Sequence, residues 1–121
     1  MEYNSNKPIY LQIAETLCDK ILLGEWKEEE RIPSVRELGG SMGVNPNTIV
    51  RVYDYLQSID VIYNKRGIGY FVKENANNEI NMMQRQQFFK EFVPEIAKKI
   101  QLLGITEEEL SNHIKQHIHK Q

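Results

Sequence analysis

The sequence has a single cysteine and no long hydrophobic run. One thiol, Cys18, cannot form an intramolecular disulfide, which suits a reducing compartment. No apolar run approaches the roughly 18 residues of a membrane-spanning helix, and no signal-like segment opens the chain. We therefore predict a cytoplasmic protein without a membrane span. The 121 residues, 40% of them hydrophobic, suffice for one ordinary domain or for a small domain with a short appendage.

The chain also lacks an excess of positive charge. Its formal net charge is −2, which at first argues against a nucleic-acid partner. The charge is unevenly distributed, however, because residues 31–73 carry six cations against three anions and residues 1–30 are acidic. Such a distribution permits a basic face on an acidic protein. The cations of this stretch are Arg31, Arg36, Arg51, Lys65, Arg66 and Lys73.

Catalytic and metal-binding patterns are scarce. We find no nucleophile–base pair and no phosphate-binding loop, so we predict no enzymatic activity and no cofactor. His113 and His117 lie one helical turn apart, which is legitimate metal-ligand spacing, but no carboxylate or cysteine joins them. We interpret them as solvated side chains near a chain end and predict no metal site. Cys18 lies on the apolar side of a predicted helix and is interpreted as a packed thiol.

Apolar periodicity predicts three helices in the first half of the chain. The first covers residues 8–23. Ser34 and Glu37 have the spacing of a capping box, which starts a short second helix that reaches about Met42. Asn45 is a good N-cap, and the Pro46 that follows it starts a third helix, which reaches about Ser58. Two short helices joined by so tight a turn form a helix-turn-helix.

A β-hairpin follows the third helix. Residues 61–63 and 70–72 favour strands, and the residues between them hold two cations, Lys65 and Arg66, and two glycines. A helix-turn-helix with a basic hairpin is a winged helix, so we assign residues 1–75 to a DNA-binding domain. Residues 74–81 are polar and rich in asparagine, and we predict a linker there.

The rest of the chain, residues 76–121, is predicted to be a two-helix dimerisation hairpin. A long helix covers residues 82–103, with a kink or break at Pro94, and a shorter helix follows a capping pattern at Thr106. The long helix has more apolar side chains than the short one covers, so a second copy is expected to cover the excess. The predicted fold is thus mainly α with a small β-wing. The predicted dimerisation residues are Phe89, Phe92, Val93, Ile96, Ile100 and Leu103.

Four segments carry a resemblance to a known family. Residues 8–13 read Pro-Ile-Tyr-Leu-Gln-Ile, and residues 32–38 read Ile-Pro-Ser-Val-Arg-Glu-Leu. Residues 43–48 read Gly-Val-Asn-Pro-Asn-Thr, and residues 66–72 read Arg-Gly-Ile-Gly-Tyr-Phe-Val. In this order and spacing they resemble the GntR family of bacterial transcription regulators. The short two-helix tail is similar to the YtrA subfamily, whose members usually end in a small dimerisation hairpin.

The chain departs from the family pattern at three places. Glu28, Glu29 and Glu30 stand where a Pro-Gly-acidic turn is usual. Gly39 stands where alanine is usual, and Asp60 replaces a customary glycine before the wing. A position with positive φ accepts aspartate less readily than glycine. These departures affect stability and turn geometry rather than the positions expected to read DNA.

The resemblance implies contact with double-stranded DNA through the second helix, the start of the third helix and the wing. The third helix is expected to present its first turns to the major groove, and the wing tip to track the minor groove or its phosphates. For five of the residues an alternative stays open: surface ion pairing for Arg36, local hydrogen bonding for Thr48, and simple solvation for Arg51, Lys65 and Arg66. Asn45 is interpreted as a cap alone. The predicted DNA-binding residues are Arg36, Asn47, Thr48, Arg51, Lys65, Arg66 and Gly67.

The resulting hypothesis is a homodimeric regulator, of repressor type, that acts on a palindromic operator at the nucleoid. One alternative is a winged helix that serves protein–protein assembly without DNA. Another is an enzyme, since one GntR branch carries a pyridoxal-phosphate domain, but this chain has no room for that domain. The operator sequence, the regulated genes and the existence of a small-molecule effector are left open.

Overall fold

A computed structural model describes residues 7–120 and divides the chain into two compact units between Met83 and Gln84. The first, the head, contains the beginning of helix α4 (Ala76–Gln87) and three complete helices: α1 (Ile9–Leu22), α2 (Val35–Met42) and α3 (Pro46–Ser58). They match the three predicted helices closely. The predicted fold, mainly α with a small β-wing, is confirmed.

The wing is an antiparallel pair of strands, β1 (Ile62–Lys65) and β2 (Gly69–Val72). Its inner face closes the helical core, since Ile62 pairs with Val72 and both are buried. A third segment extends the sheet, because Arg31 forms an isolated antiparallel bridge with Phe71. The connection between α1 and α2 therefore runs beside β2 of the wing and is joined to it by this bridge.

One continuous core holds the head together. Helix α3 packs on both α1 and α2, and its Tyr53 is fully buried. Half-buried Trp26, from the turn after α1, packs against this core. The buried apolar residues are Ile13, Ala14, Leu17, Cys18, Ile21, Ile32, Leu38, Ile49, Val52, Tyr53, Leu56, Val61, Ile62, Val72, Ala76 and Ile80.

The prediction of a linker over residues 74–81 is wrong, because helix α4 (Ala76–Gln87) begins there. Ala76 and Ile80, one turn apart, are both fully buried in the head core. The asparagines between them are exposed, so a polar stretch conceals a helix with a narrow apolar side. For the same reason the head ends at Met83, eight residues beyond the boundary that the composition suggested.

The second unit, the tail, has a π-helical turn (Phe88–Phe92), α5 (Val93–Leu103) and α6 (Glu107–Ile118). The Val93 N–H donates to the Phe88 carbonyl, five residues back, which defines the π turn. Pro94 follows at once, at a first-turn position of α5 where its missing N–H is not required. The kink or break predicted at Pro94 stays a prediction; the α-helical hydrogen-bond pattern is interrupted just before Pro94 by this wider turn, and the helical backbone runs on through it.

Candidate nucleic-acid interface

The start of α3 is built around Asn45. Its side-chain oxygen accepts a hydrogen bond from the Asn47 N–H at 2.8 Å, and its carbonyl accepts one from the Thr48 N–H at 2.9 Å. Pro46 occupies the first helical position. The interpretation of Asn45 as a cap is therefore confirmed. The exposed helix N-terminus, with its amide dipoles, is a suitable site for a phosphate group.

Three of the predicted DNA-binding residues come together on α3. Asn47 and Arg51 are four residues apart and Thr48 and Arg51 three, so they share one face of the helix. Asn47 and Arg51 are exposed, and Thr48 is half-buried. The Arg51 guanidinium lies 4.2 Å from the centre of the Tyr10 ring, a cation–π contact that ties it to α1. Arg51 is therefore a fixed cation beside the first turn rather than a freely solvated one.

Arg36 lies in the first turn of α2, whose start the capping box fixes. The Ser34 hydroxyl accepts from the Glu37 N–H at 3.1 Å, and the Glu37 carboxylate accepts from the Ser34 N–H at 3.0 Å. The Ser34 N–H and, next, the Ser34 side chain stabilise the ionised Glu37 carboxylate, and with a smaller contribution from the charge of Arg31 they hold the pKa of Glu37 below its usual value. Among residues 7–120 Arg36 makes no ion pair, so the open alternative of a salt bridge finds no support there. Its guanidinium is exposed.

The wing tip presents the other predicted cations. Lys65 ends β1, and its carbonyl accepts from the Ile68 N–H at 2.8 Å, which closes the turn around Arg66 and Gly67. All four residues are exposed. Ile68 is 51% exposed, an apolar side chain at the tip that the sequence analysis did not single out. The pattern of cations and glycines in the sequence predicted the position of the tip. The same pattern did not indicate that the isoleucine between the two glycines is exposed.

The outer face of the wing carries a second feature that sequence analysis missed. The Tyr63 and Phe71 rings are stacked with their centres 5.7 Å apart, and the Lys65 ammonium lies 5.7 Å from the Phe71 ring centre. The Tyr63 hydroxyl donates to the Glu29 carboxylate at 2.9 Å, and this hydrogen bond raises the pKa of Tyr63. Arg31 lies beside the same strand pair. A bridge between such distant segments has no local sequence signature.

Tyr53 of α3 contacts both the segment before α2 and the wing. Its hydroxyl donates to the Pro33 carbonyl at 2.6 Å, just before α2, and its ring meets the Tyr70 ring of β2 edge-on with centres 4.8 Å apart. Burial raises the pKa of Tyr53. One side chain of α3 thus fixes the beginning of α2 and the base of the wing. Tyr53 and Tyr70 are thus packing residues at the junction of α2, α3 and the wing.

The departures from the family pattern have structural explanations. Glu29 and Asp60 adopt φ of 64° and 60°, so both turns keep the left-handed conformation that glycine usually supplies. Asp60 is also paired with Lys73 at 3.1 Å. At Gly39 a methyl group would lie 2.8 Å from the Val44 carbonyl oxygen, because α2 and the following turn approach closely. Glycine at position 39 therefore allows the turn after α2 to lie this close to the helix.

The remaining sequence candidates have no role in this interface. Burial raises the pKa of the Cys18 thiol to about 12, and the nearby Asp19 and Glu15 charges add to the shift, which confirms a packed thiol. Over residues 7–120 no cluster of three or more metal-ligating side chains occurs. In the same part of the chain no helix is long and apolar enough to cross a membrane.

Comparisons with known proteins agree with this architecture. Residues 9–72 match the family described as bacterial regulatory proteins, gntR family. The chain belongs to the GntR family. The predicted family is thereby confirmed, and the members and relatives that match are transcription regulators rather than enzymes.

Two relatives from Bacillus subtilis (strain 168) match over almost the whole chain. The HTH-type transcriptional regulator YhcF is 35% identical over 94% of this chain and 93% of its own length. The HTH-type transcriptional repressor YtrA is 31% identical over 93% of this chain and 85% of its own length. The predicted similarity to YtrA therefore extends through the tail of this GntR protein.

Solved structures match as well. A GntR-family regulator from Bacteroides thetaiotaomicron is 47% identical, with a TM-score of 0.77 over 93% of this chain and 98% of that chain. The DNA-binding domain of AraR, solved in complex with operator ORR3, is 29% identical, with a TM-score of 0.53 over 60% of this chain and 87% of that chain. This GntR protein is thus a transcription regulator with a DNA-binding head.

Proposed function

We propose that this GntR protein is a homodimeric repressor that binds a palindromic operator in the cytoplasm, at the nucleoid. The observation that carries the proposal is the exposure of polar and cationic side chains on the two elements that a winged helix presents to DNA. These are the first turns of α3 and the tip of the wing. The name of YtrA supports the repressor role, and the operator complex of AraR supports the kind of partner.

The two elements are suited to different parts of the duplex. Asn47, Thr48 and Arg51 share one face of α3, and with Arg36 of α2 they form the part of the surface proposed to read base edges in the major groove. Arg66 and Lys65 are proposed to contact phosphates or the minor groove, and Gly67 allows the backbone to approach. Base contacts then supply specificity, and phosphate contacts supply most of the affinity.

The tail, from Gln84 onward, is proposed as the dimerisation unit, so the start predicted at residue 76 moves to the boundary between the two units. No residue of the tail is buried in the single chain over residues 84–120. Of the six predicted dimerisation residues, Ile96 and Ile100 are half-buried, whereas the other four are exposed, with Phe89 at 60% and Phe92 at 56%. Phe88, which the sequence analysis did not include, stacks on Phe92 with ring centres 5.6 Å apart and is 46% exposed.

Covering these side chains with a second copy is favourable. Full burial of a large apolar side chain contributes about 1.5–3 kcal/mol, and these residues keep roughly half of their surface available. A two-fold contact uses every such residue twice. The resulting dimer carries two heads, which matches a palindrome with half-sites about one helical turn apart. A small-molecule effector is not required by this proposal.

Selection of bound sequences from random duplex DNA tests the proposal most directly. We expect a palindrome whose half-sites are bound by a dimer in sedimentation experiments. A chain ending at Met83 keeps Ala76 and Ile80 in the head core and is expected to stay folded, to be monomeric and to bind a half-site weakly. Recovery of no preferred sequence would favour a role in protein–protein assembly. A truncated head that stays dimeric and binds at full strength would refute the assignment of the tail.

A further inference from the structure

Arg31 has an unusual position beside the wing. It pairs with Phe71 across an antiparallel bridge, and Phe71 in turn pairs with Tyr63 of β1. Paired residues share one face of a sheet, and residues two apart on a strand share it too. Lys65 and Gly69, which pair with each other, therefore lie on the same outer face as Arg31. Two cations from separate segments flank one stretch of β2.

The missing side chain of Gly69 makes room for Arg31. A methyl group at Gly69 would lie 2.9 Å from the Arg31 Nε atom and 3.4 Å from Nη2. The φ of Gly69 is +145°, a conformation that residues with a side chain rarely adopt. The guanidinium thus lies against the backbone of Gly69, at the start of β2 and three residues along the chain from Arg66.

The charge of Arg31 is not neutralised by a salt bridge within residues 7–120. The three ion pairs found there use other cations, all of them lysines, and leave this guanidinium exposed. A planar guanidinium that lies against the backbone and is open to solvent is well suited to a bidentate contact with a phosphate group. Holding it against the backbone also lowers the entropy lost when it binds.

We propose that Arg31 is a DNA-phosphate contact, which together with Lys65 and Arg66 grips the operator backbone from the side of the wing. The proposal rests on the proposed function, since it needs a head that binds DNA. It adds a site outside the helix-turn-helix and outside the wing itself, on the connection between α1 and α2. Because a phosphate contact carries no sequence information, Arg31 contributes affinity rather than specificity.

The test uses the full chain, the operator duplex recovered by selection, and a random-sequence duplex of equal length. Arg31→Met keeps an unbranched side chain against Gly69 and removes the charge. We expect about tenfold weaker binding to both duplexes at physiological salt, and a salt-dependence slope smaller by about 0.9. Arg31→Lys keeps the charge and is expected to retain the slope. Lys27→Met, a charge change on the same connection, is the matched control and should alter neither quantity.

Several outcomes would overturn the proposal. Unchanged affinity and slope in Arg31→Met would do so, and so would a loss confined to the operator, which would indicate base reading. If Arg31→Met lowers the thermal midpoint, Arg31→Lys distinguishes a phosphate contact from a structural role. A smaller salt-dependence slope in Arg31→Lys as well would show that the role of Arg31 is structural. A wild-type chain that binds neither duplex would instead refute the proposed function as a whole.

Discussion

The close approach at Gly39 leads to a prediction about two neighbouring glycines of α2. Gly39 and Gly40 both lie inside the helix, where alanine is more favourable than glycine by about 1 kcal/mol. They differ in their surroundings. A methyl group at Gly40 meets nothing within 4 Å, whereas one at Gly39 would lie 2.8 Å from the Val44 carbonyl oxygen and 3.5 Å from the Cα atom of Pro46. The two substitutions to alanine are chemically identical and form a matched pair.

The magnitudes follow from these distances. Gly40→Ala is expected to stabilise the head by about 1 kcal/mol, a rise of about 4–8 °C in the thermal midpoint for a domain of this size. In Gly39→Ala the gain in helix propensity is opposed by the close contact between the new methyl group and the Val44 carbonyl oxygen. Carbon–oxygen contacts ordinarily lie at about 3.3–3.6 Å, so the turn that contains Val44 must move by roughly 0.5 Å. Such overpacking costs about 1–3 kcal/mol. Gly39→Ala should therefore be less stable than Gly40→Ala by about 1–3 kcal/mol.

The assay is thermal unfolding followed by far-ultraviolet circular dichroism, at one fixed protein concentration because the midpoint of the proposed dimer depends on concentration. Operator affinity adds a functional measurement. The turn that must move leads directly into Asn45 and the start of α3, so Gly39→Ala should also weaken operator binding while Gly40→Ala should not. Equal midpoints in the two variants would refute the reasoning, since they would mean that the turn yields at no cost.

Three further predictions concern the interface and the core. Arg36→Ala and Arg66→Ala should each lower operator affinity by about 1–3 kcal/mol with unchanged thermal midpoints, and Arg66→Ala should also lower the salt slope by about one in titrations at several salt concentrations. Tyr53→Phe should lower the free energy of unfolding in urea by about 1–3 kcal/mol, because it leaves a carbonyl without its donor, and an unchanged value would contradict the role given to that hydrogen bond. The folded-state pKa of Cys18, about 12, lies above the unfolded value, so its contribution to stability is complete below about pH 8.5 and is lost as the pH rises from there towards 12. Urea unfolding should show a lower free energy of unfolding at pH 10 than at pH 7 in the wild type, and a smaller difference between the two pH values in Cys18→Ala.

Local signals in the sequence predicted most of the head. Helices α2 and α3 begin at a capping box and at an Asn-Pro pair, whose hydrogen bonds lie within three residues and are therefore readable from spacing. The start of α4 was missed because its only apolar anchors are Ala76 and Ile80, and their value depends on a core built from distant residues. Tertiary burial here decided the structure of a stretch whose local composition indicated a linker.

The candidate site was predictable to a similar extent. Charges and glycines identified the wing tip, but the bridge between Arg31 and Phe71 joins residues forty positions apart in the chain. No periodicity or cap reports such a contact. The glycine at position 69 gave a partial signal, since a glycine in a strand often marks a close approach of other groups. The sequence alone could not identify the approaching group as an arginine.

The net charge of −2 and a DNA partner are compatible because electrostatic interactions are screened over about 8 Å at physiological salt. A phosphate at the interface therefore responds to the cations beside it and only weakly to acidic residues elsewhere in the chain. Arg36, Arg51, Lys65 and Arg66 are all exposed on α2, α3 and the wing, and residues 31–73 carry a surplus of three positive charges. Lowering the salt concentration lengthens the screening distance, so that the negative charges in the rest of the chain then also repel the phosphates of bound DNA. We therefore expect the local cations, rather than the total charge, to determine whether the proposed surface attracts DNA under physiological conditions.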